Sequence, residues 1–364
     1  FIDEGHKGQS SFEQSWKKKR EALSENGFTF EYSATFGQVI NQARNVLLEE
    51  YSKSIIFDYS YKYFYTDGYG KDFFTYNLKE GDYSNEQRSL LLTASLLNYY
   101  EQVDLFEKFP ELCKEYNIEK PLWIFVGSKV IGKTKPTKDG EKSISDVIEI
   151  TKYLTTMLSN PSKLDENISL ILDDKSGLIN NEGSDIFQGK FEHLRKNKPT
   201  AEQIYNKIFN GTGTLQLYEN KSSDGEIALK LSLSSNYFGV INIGDVSALK
   251  KKMHEEGIEV KSENIKSSQF DSINESSSTI NLLIGSKKFI EGWNSWRVSN
   301  MGLMNIGRSE GTQIIQLFGR GIRLKGKALS LKREEPAQTE LKTLQTLSIF
   351  GLNAEYIVTF LDNI

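Results

Sequence analysis

The apolar residues of this chain follow two rhythms. Leu122-Trp123-Ile124-Phe125-Val126 and Leu282-Leu283-Ile284 are short continuous runs, as expected of strands buried on both faces. Phe28-Thr29-Phe30-Glu31-Tyr32 alternates and then gives way to Ser33-Ala34-Thr35, the pattern of a buried strand that delivers a loop to a site. Residues 237–244 alternate in the same way, and 279–285 predict a further buried strand. Helical periodicity covers 12–25, 246–256, and a stretch from Ser143 and Ser145 through Ile148, Tyr153, Leu154 and Leu158 to the stop signal Asn160-Pro161. Residues 214–218 and 226–233 predict a hairpin that turns at Ser223-Asp224-Gly225.

This pattern divides the chain into a first α/β segment, 1–36, a mainly helical linker with inserted helices, 37–118, and a second α/β unit, 119–364. The least regular part of that unit, about 162–235, is read as an insertion. Within the linker, Tyr59-Ser60-Tyr61-Lys62-Tyr63-Phe64-Tyr65 alternates like a strand with one buried face. Packing inside the linker is favoured for it over a platform on which bases stack. Two domains are the default, because 364 residues exceed the roughly 250–300 at which a single core stops growing.

Composition changes this picture only by exclusion. With 38% hydrophobic and 26% charged residues the chain is of the globular class, and its longest apolar runs fall far short of the roughly 20 residues of a membrane helix. Cys113 is the sole cysteine, which rules out intrachain disulfides and cysteine-rich zinc sites and favours a reducing, cytoplasmic setting. His193 and His254 lack metal-ligand spacing and are expected to pack or lie on the surface. The net charge of -4 does not advertise a nucleic-acid binder, so any such contact needs a local basic patch. Residues 286–333 offer one: Lys287, Lys288, Arg297, Arg308, Arg320, Arg323, Lys325, Lys327, Lys332 and Arg333 face only Glu291 and Glu310.

Candidate chemistry sits at both ends. Phe1-Ile2-Asp3-Glu4-Gly5-His6 carries two adjacent carboxylates at the end of a predicted strand, suited to holding Mg²⁺ and orienting an attacking water in phosphoryl transfer. Gln316-Leu317-Phe318-Gly319-Arg320-Gly321-Ile322-Arg323 places Gln316, Arg320 and Arg323 on one face if 312–323 is helical. Two guanidinium groups presented together neutralise charge on a transferred phosphoryl group. Glycine is a poor helix former, so Gly319 and Gly321 point to close packing or ligand approach.

Asp3-Glu4-Gly5-His6, Ser33-Ala34-Thr35, Phe289-Ile290-Glu291-Gly292-Trp293-Asn294 and residues 316–323 occur in the order of motifs II, III, V and VI of superfamily 2 helicases. The chain resembles most closely the helicase subunit of type III restriction enzymes and related DEAD/DEAH-box proteins of phage defence. The resemblance implies two RecA-like P-loop NTPase domains with mainly parallel sheets, the first incomplete at its N-terminus, and ATP with Mg²⁺ bound between them. It implies that Asp3 holds Mg²⁺, Glu4 activates water, and His6 links the nucleotide to Gln316. Arg320 and Arg323 would reach the γ-phosphate, Gly292 and Asn294 would approach the nucleotide or the domain seam, Gly319 would approach the nucleotide, and Ser33, Ala34 and Thr35 would couple hydrolysis to domain movement. Nucleic-acid contacts would fall to Gly127, Ser128, Lys287, Lys288 and Trp293, although burial at the domain seam is favoured for at least one of Trp293 and Trp296.

The resemblance thus implies an ATP-dependent DNA helicase or translocase, with RNA left open as substrate and a methyltransferase, specificity subunit or nuclease as partner. Two departures stand against it. In the family the phosphate-binding loop lies upstream of motif II and none precedes Asp3 here, so it is expected upstream of Phe1 and the 364 residues alone are expected to be inactive. Asn294 stands where the family commonly has aspartate. The alternative is a RecA-like module that binds nucleic acid or partners without hydrolysing ATP.

Overall fold

The computed structural model describes residues 1–3, 15–33, 53–78, 83–127, 145–285, 293–305 and 311–354. Near the start, β1 (Ile2–Asp3) and β2 (Glu31–Tyr32) pair in parallel, with Asp3 opposite Tyr32. Between them runs α1 (Ser15–Leu23), tied to β2 by a 2.6 Å ion pair from Arg20 to Glu31.

The remaining strands form one sheet. They are β3 (Asp72–Leu78), β4 (Leu122–Gly127), β5 (Leu215–Asn220), β6 (Glu226–Leu231), β7 (Gly239–Asn242), β8 (Val260–Glu263), β9 (Leu282–Gly285), β10 (Val298–Met304) and β11 (Thr346–Leu352). Their order is β3-β11-β10-β4-β9-β7-β6-β5-β8, and every neighbouring pair is parallel except the two that β6 makes with β5 and β7. The architecture is therefore α/β with a large, mostly parallel sheet.

The helices are α2 (Tyr61–Thr66), α3 (Asn85–Lys108), α4 (Pro110–Glu115), α5 (Asp146–Ser159), α6 (Pro161–Leu172), α7 (Glu192–Lys196), α8 (Ala201–Ile208), α9 (Val246–Glu255), α10 (Gly311–Gly321) and α11 (Thr339–Leu344). Among the described residues none is long and apolar enough to cross a membrane. Strand alternation sends Trp123, Phe125, Ile241, Leu282 and Ile284 into one core with side chains of α3, α5, α6, α8 and α9. Their sequence neighbours Leu122, Ile124, Val126, Val240 and Leu283 pack on the other face with Leu317 and Phe318 of α10. Burial on both faces is why these strands read as continuous apolar runs.

Helix α3 is buried over 90–105 on all sides, so its polar residues need partners inside the protein. Asn300 of β10 donates to Ser95 O at 2.7 Å, Trp123 donates to Ser95 Oγ at 3.0 Å, and Gln102 donates to Thr346 O at 2.9 Å. A capping box at Ser84 and Gln87 starts the helix. The predicted hairpin forms as β5 and β6, and α5 ends at Asn160 ahead of Pro161 as expected.

Three expectations change. Residues 61–66 are helical, with Tyr61 and Phe73 edge-on to Phe318 at 5.1 Å, so this aromatic segment packs on α10 instead of forming a strand. The stretch read as linker supplies edge strand β3 and central helix α3, so the sheet runs across the boundary drawn at 118/119. Residues from the supposed insertion supply β5, β6, α6 and α8 to the same sheet and core. Cys113 is on α4, buried and free, and burial pushes its thiol up to about 11.

Candidate functional site

Helix α10 follows β10 and packs back across the sheet through Leu317, Phe318 and Gly321. A Cβ on Gly321 would lie 2.8 Å from Leu347 Cδ2 and 3.0 Å from Met301 Cε, so this glycine exists for close packing. Gly319 faces the other way, with nothing within 4 Å of the Cβ position, and leaves open space beside half-buried Gln316 and Arg320. Gly321 thus takes the close-packing role expected of this pair of glycines. Arg323 lies just beyond the helix end at Gly321, not on the helix as predicted.

The segment before β10 meets these arginines. Arg320 Nη1 donates to Trp293 O, and Arg323 Nη1 donates to Asn294 Oδ1. Burial pulls the Arg323 guanidinium below its usual value. Asn294 in place of aspartate makes a neutral acceptor, so Arg323 keeps its whole charge for another partner. Arg320, Arg323, Asn294 and Trp293 are therefore brought together at the edge where β3, β4 and β10 begin. There Lys71 N donates to Ile322 O at 2.8 Å and Leu122 N to Arg297 O at 2.8 Å.

Asp3 and Ser33 are brought together separately. Asp3 ends β1 with its residue exposed, and Ser33 follows Tyr32, its register partner's strand end. A carboxylate and a hydroxyl at adjacent strand ends are hard oxygen donors of the type Mg²⁺ takes alongside phosphate oxygens and water. Asp3 and Ser33 lie at the ends of the two-stranded sheet, while Gln316, Arg320 and Arg323 lie on or just beyond α10, which packs on the nine-stranded one through Leu317 and Phe318. Glu4, His6, Ala34, Thr35, Ser128, Lys287, Lys288 and Gly292 lie outside the described residues.

One nucleic-acid assignment needs correction. Trp293 is 7% exposed, packs against Phe270 at 6.3 Å and belongs to the core, so its indole is not offered to a base. A Cβ on Gly127 would collide with the Asp146 side chain, so a glycine is required there by close approach to a buried carboxylate. The basic segment is also partly spent inside the fold. Arg297 is 4% exposed and donates to Lys120 O at 2.9 Å, to Ile280 O at 2.8 Å, to Pro121 O at 3.4 Å and to Ile273 O. Lys325 pairs with Glu119, Lys327 with Glu115 at 2.6 Å, and Arg333 with Glu335 while lying 4.0 Å over the Tyr65 ring.

Sequence reasoning missed a polar row at the opposite edge, where the parallel strands end. Asn305 donates to Asp146 Oδ1 at 2.6 Å, Asn353 donates to Asn305 Oδ1 at 2.9 Å, and Tyr83 donates to Asn353 Oδ1. Asn305 and Asn353 have φ of 50° and 56°, a conformation asparagine tolerates better than most residues. An asparagine directly after each of two buried strands was the available signal. The carboxyl ends of parallel strands are where open α/β sheets take ligands. No known protein family, curated protein or solved structure matches the chain.

Proposed function

We propose that the chain is the motor part of an ATP-dependent DNA helicase or translocase with RecA-like domains, of the kind found in restriction and phage-defence systems. The observation that carries this reading is the meeting of Trp293 and Asn294 with Arg320 and Arg323, two sequence segments that the helicase resemblance assigns to one nucleotide site. The parallel pairing of β1 with β2 supports it independently, because it sets Asp3 beside Ser33. In this reading Asp3 holds Mg²⁺, Glu4 activates water, and the arginines with the open face at Gly319 receive phosphate oxygens. The polar row at the other edge is where nucleic acid would lie, tracked through its backbone without base readout.

The 364 residues hold one match to Gly-x-x-x-x-Gly-Lys-Ser/Thr, Gly127 to Thr134 from the end of β4, whereas the motor reading needs its phosphate cradle upstream of Asp3. With the cradle present, ATP turnover should rise when DNA is added, and Glu4→Gln should reduce turnover by about 10² or more while ATP binding persists. Near-normal turnover in that variant would remove Glu4 from the mechanism. Binding of DNA without any turnover would favour the non-hydrolysing module, and stimulation by RNA alone would overturn the restriction-like reading.

A further inference from the structure

Beside Arg323 lies a cavity bordered by Lys71, Glu119, Arg297, Ser299, Arg323 and Lys325. Its free volume of about 10 Å³ accommodates a single water-sized particle. Four of these six residues are cationic, and Glu119 is the one carboxylate among them, already paired with Lys325. Lys71 is 5% exposed and Arg297 4% exposed, so neither charge is discharged into solvent. Arg297 spends its donors on backbone carbonyls, which leave its charge in place.

Two donors point to an occupant. The Lys71 ammonium has three N–H groups and, among the described residues, makes one bond, to Val298 O. Ser299, 4% exposed, has a hydroxyl with no hydrogen-bond partner among the described residues. Gln102 Oε1 on the same wall is an unpartnered acceptor among the described residues but a neutral one, so the net positive charge still calls for an acceptor that carries negative charge.

We propose that this cavity binds one monatomic anion, chloride in ordinary solution, held by the Lys71 ammonium, the Ser299 hydroxyl and the Arg323 guanidinium. Sulfate and phosphate, with four oxygens around a central atom, exceed the space of one water. Burial pulls Lys71 down to about 7, the cost of a charge with too few partners, and a bound anion offsets that cost. The anion would also fix Arg323, which Asn294 holds as well. The inference stands on the cavity alone and does not require the motor reading.

Thermal unfolding of the 364-residue chain tests it, with sodium gluconate exchanged for sodium chloride at constant ionic strength. Chloride at about ten times its dissociation constant should raise the midpoint by about 2 °C or more. Lys71→Met should abolish the response, and Glu119→Gln, which removes the competing carboxylate, should shift it to lower chloride. Crystals soaked in bromide should show an anomalous peak in the cavity. Equal midpoints in gluconate and chloride, an undiminished response in Lys71→Met, or an empty or water-filled cavity after the soak would overturn the proposal. Should Lys71→Met fail to fold, an unshifted response in Glu119→Gln would overturn it instead.

Discussion

Replacing Arg297 with methionine separates a basic patch from a structural tie. The guanidinium bonds carbonyls at Lys120 and Pro121 before β4, at Ile280 before β9, and at Ile273 in a short 3-10 turn. Each charge-assisted bond of this kind contributes about 1.5–3 kcal/mol. Removing the guanidinium also relieves the desolvation of a buried charge, several kcal/mol in the opposite direction. The carbonyls stay buried and lose their donor, so the balance is a destabilisation of about 3 kcal/mol. In urea, with a slope of about 3 kcal/mol/M for a chain of this size, the midpoint should fall by about 1 M with the slope unchanged. Arg297→Lys should recover less than half, because an ammonium cannot reach carbonyls on several sides at once. A midpoint within about 0.2 M of the parent, with weakened nucleic-acid binding instead, would refute the tie and restore Arg297 to the surface patch.

Three further outcomes are expected. Burial raises the Glu101 carboxyl to about 7, against an ordinary value of 4.5, so between those pH values the native state holds a proton that the unfolded chain has released. Stability should therefore fall as pH rises from about 4.5 to 7, by on the order of 3 kcal/mol, and Glu101→Gln should flatten that slope; parallel urea-midpoint profiles for the two proteins would contradict it. Gly319→Ala should raise stability by up to about 1 kcal/mol through helix propensity, since its Cβ meets nothing, and should weaken nucleotide binding if the open face is used; calorimetry and a nucleotide titration read the two effects. Gly321→Ala should lower stability by about 1–2 kcal/mol, because the crowding against Leu347 and Met301 outweighs the same propensity gain, and an unchanged urea midpoint would mean that Leu347 swings aside freely.

The legible parts of the chain were those whose signal is local. Runs such as 122–126 and 282–284 announce strands because both faces are buried, and the hairpin is marked by Ser223-Asp224-Gly225 between its arms. Residues 61–66 misled because aromatics occupy so many positions that the segment fits either period; only contact with Phe318 decides for a helix. Strand β3 was hidden because its partner β11 lies far along the chain, and nothing near 72–78 says that an edge is waiting. The basic excess of 286–333 was overcounted for a related reason. Glu115, Glu119 and Glu335, which neutralise part of it, lie outside the segment, and the carbonyls that hold Arg297 come mostly from outside it too. The convergence of Asn294 with Arg323 was inferable only through the family resemblance, since their spacing alone carries no contact information.

Under the motor reading, the geometry of α10 also limits how the two edges of the sheet can communicate. The arginines lie where β3, β4 and β10 begin, while the Asp146-Asn305-Asn353 row lies where β4, β10 and β11 end. Gly321 sets α10 in close contact with Met301 of β10 and Leu347 of β11, with no slack for a side chain between them. A pull on Arg320 or Arg323 therefore cannot slide α10 over the sheet without disturbing that contact, because close-packed interfaces resist continuous deformation. The same two strands carry Asn305 and Asn353 just past their ends, so helix and strands would move as one body. Movement generated at the arginines would then reach nucleic acid by rotation of this whole unit, and the flexible element has to lie outside it.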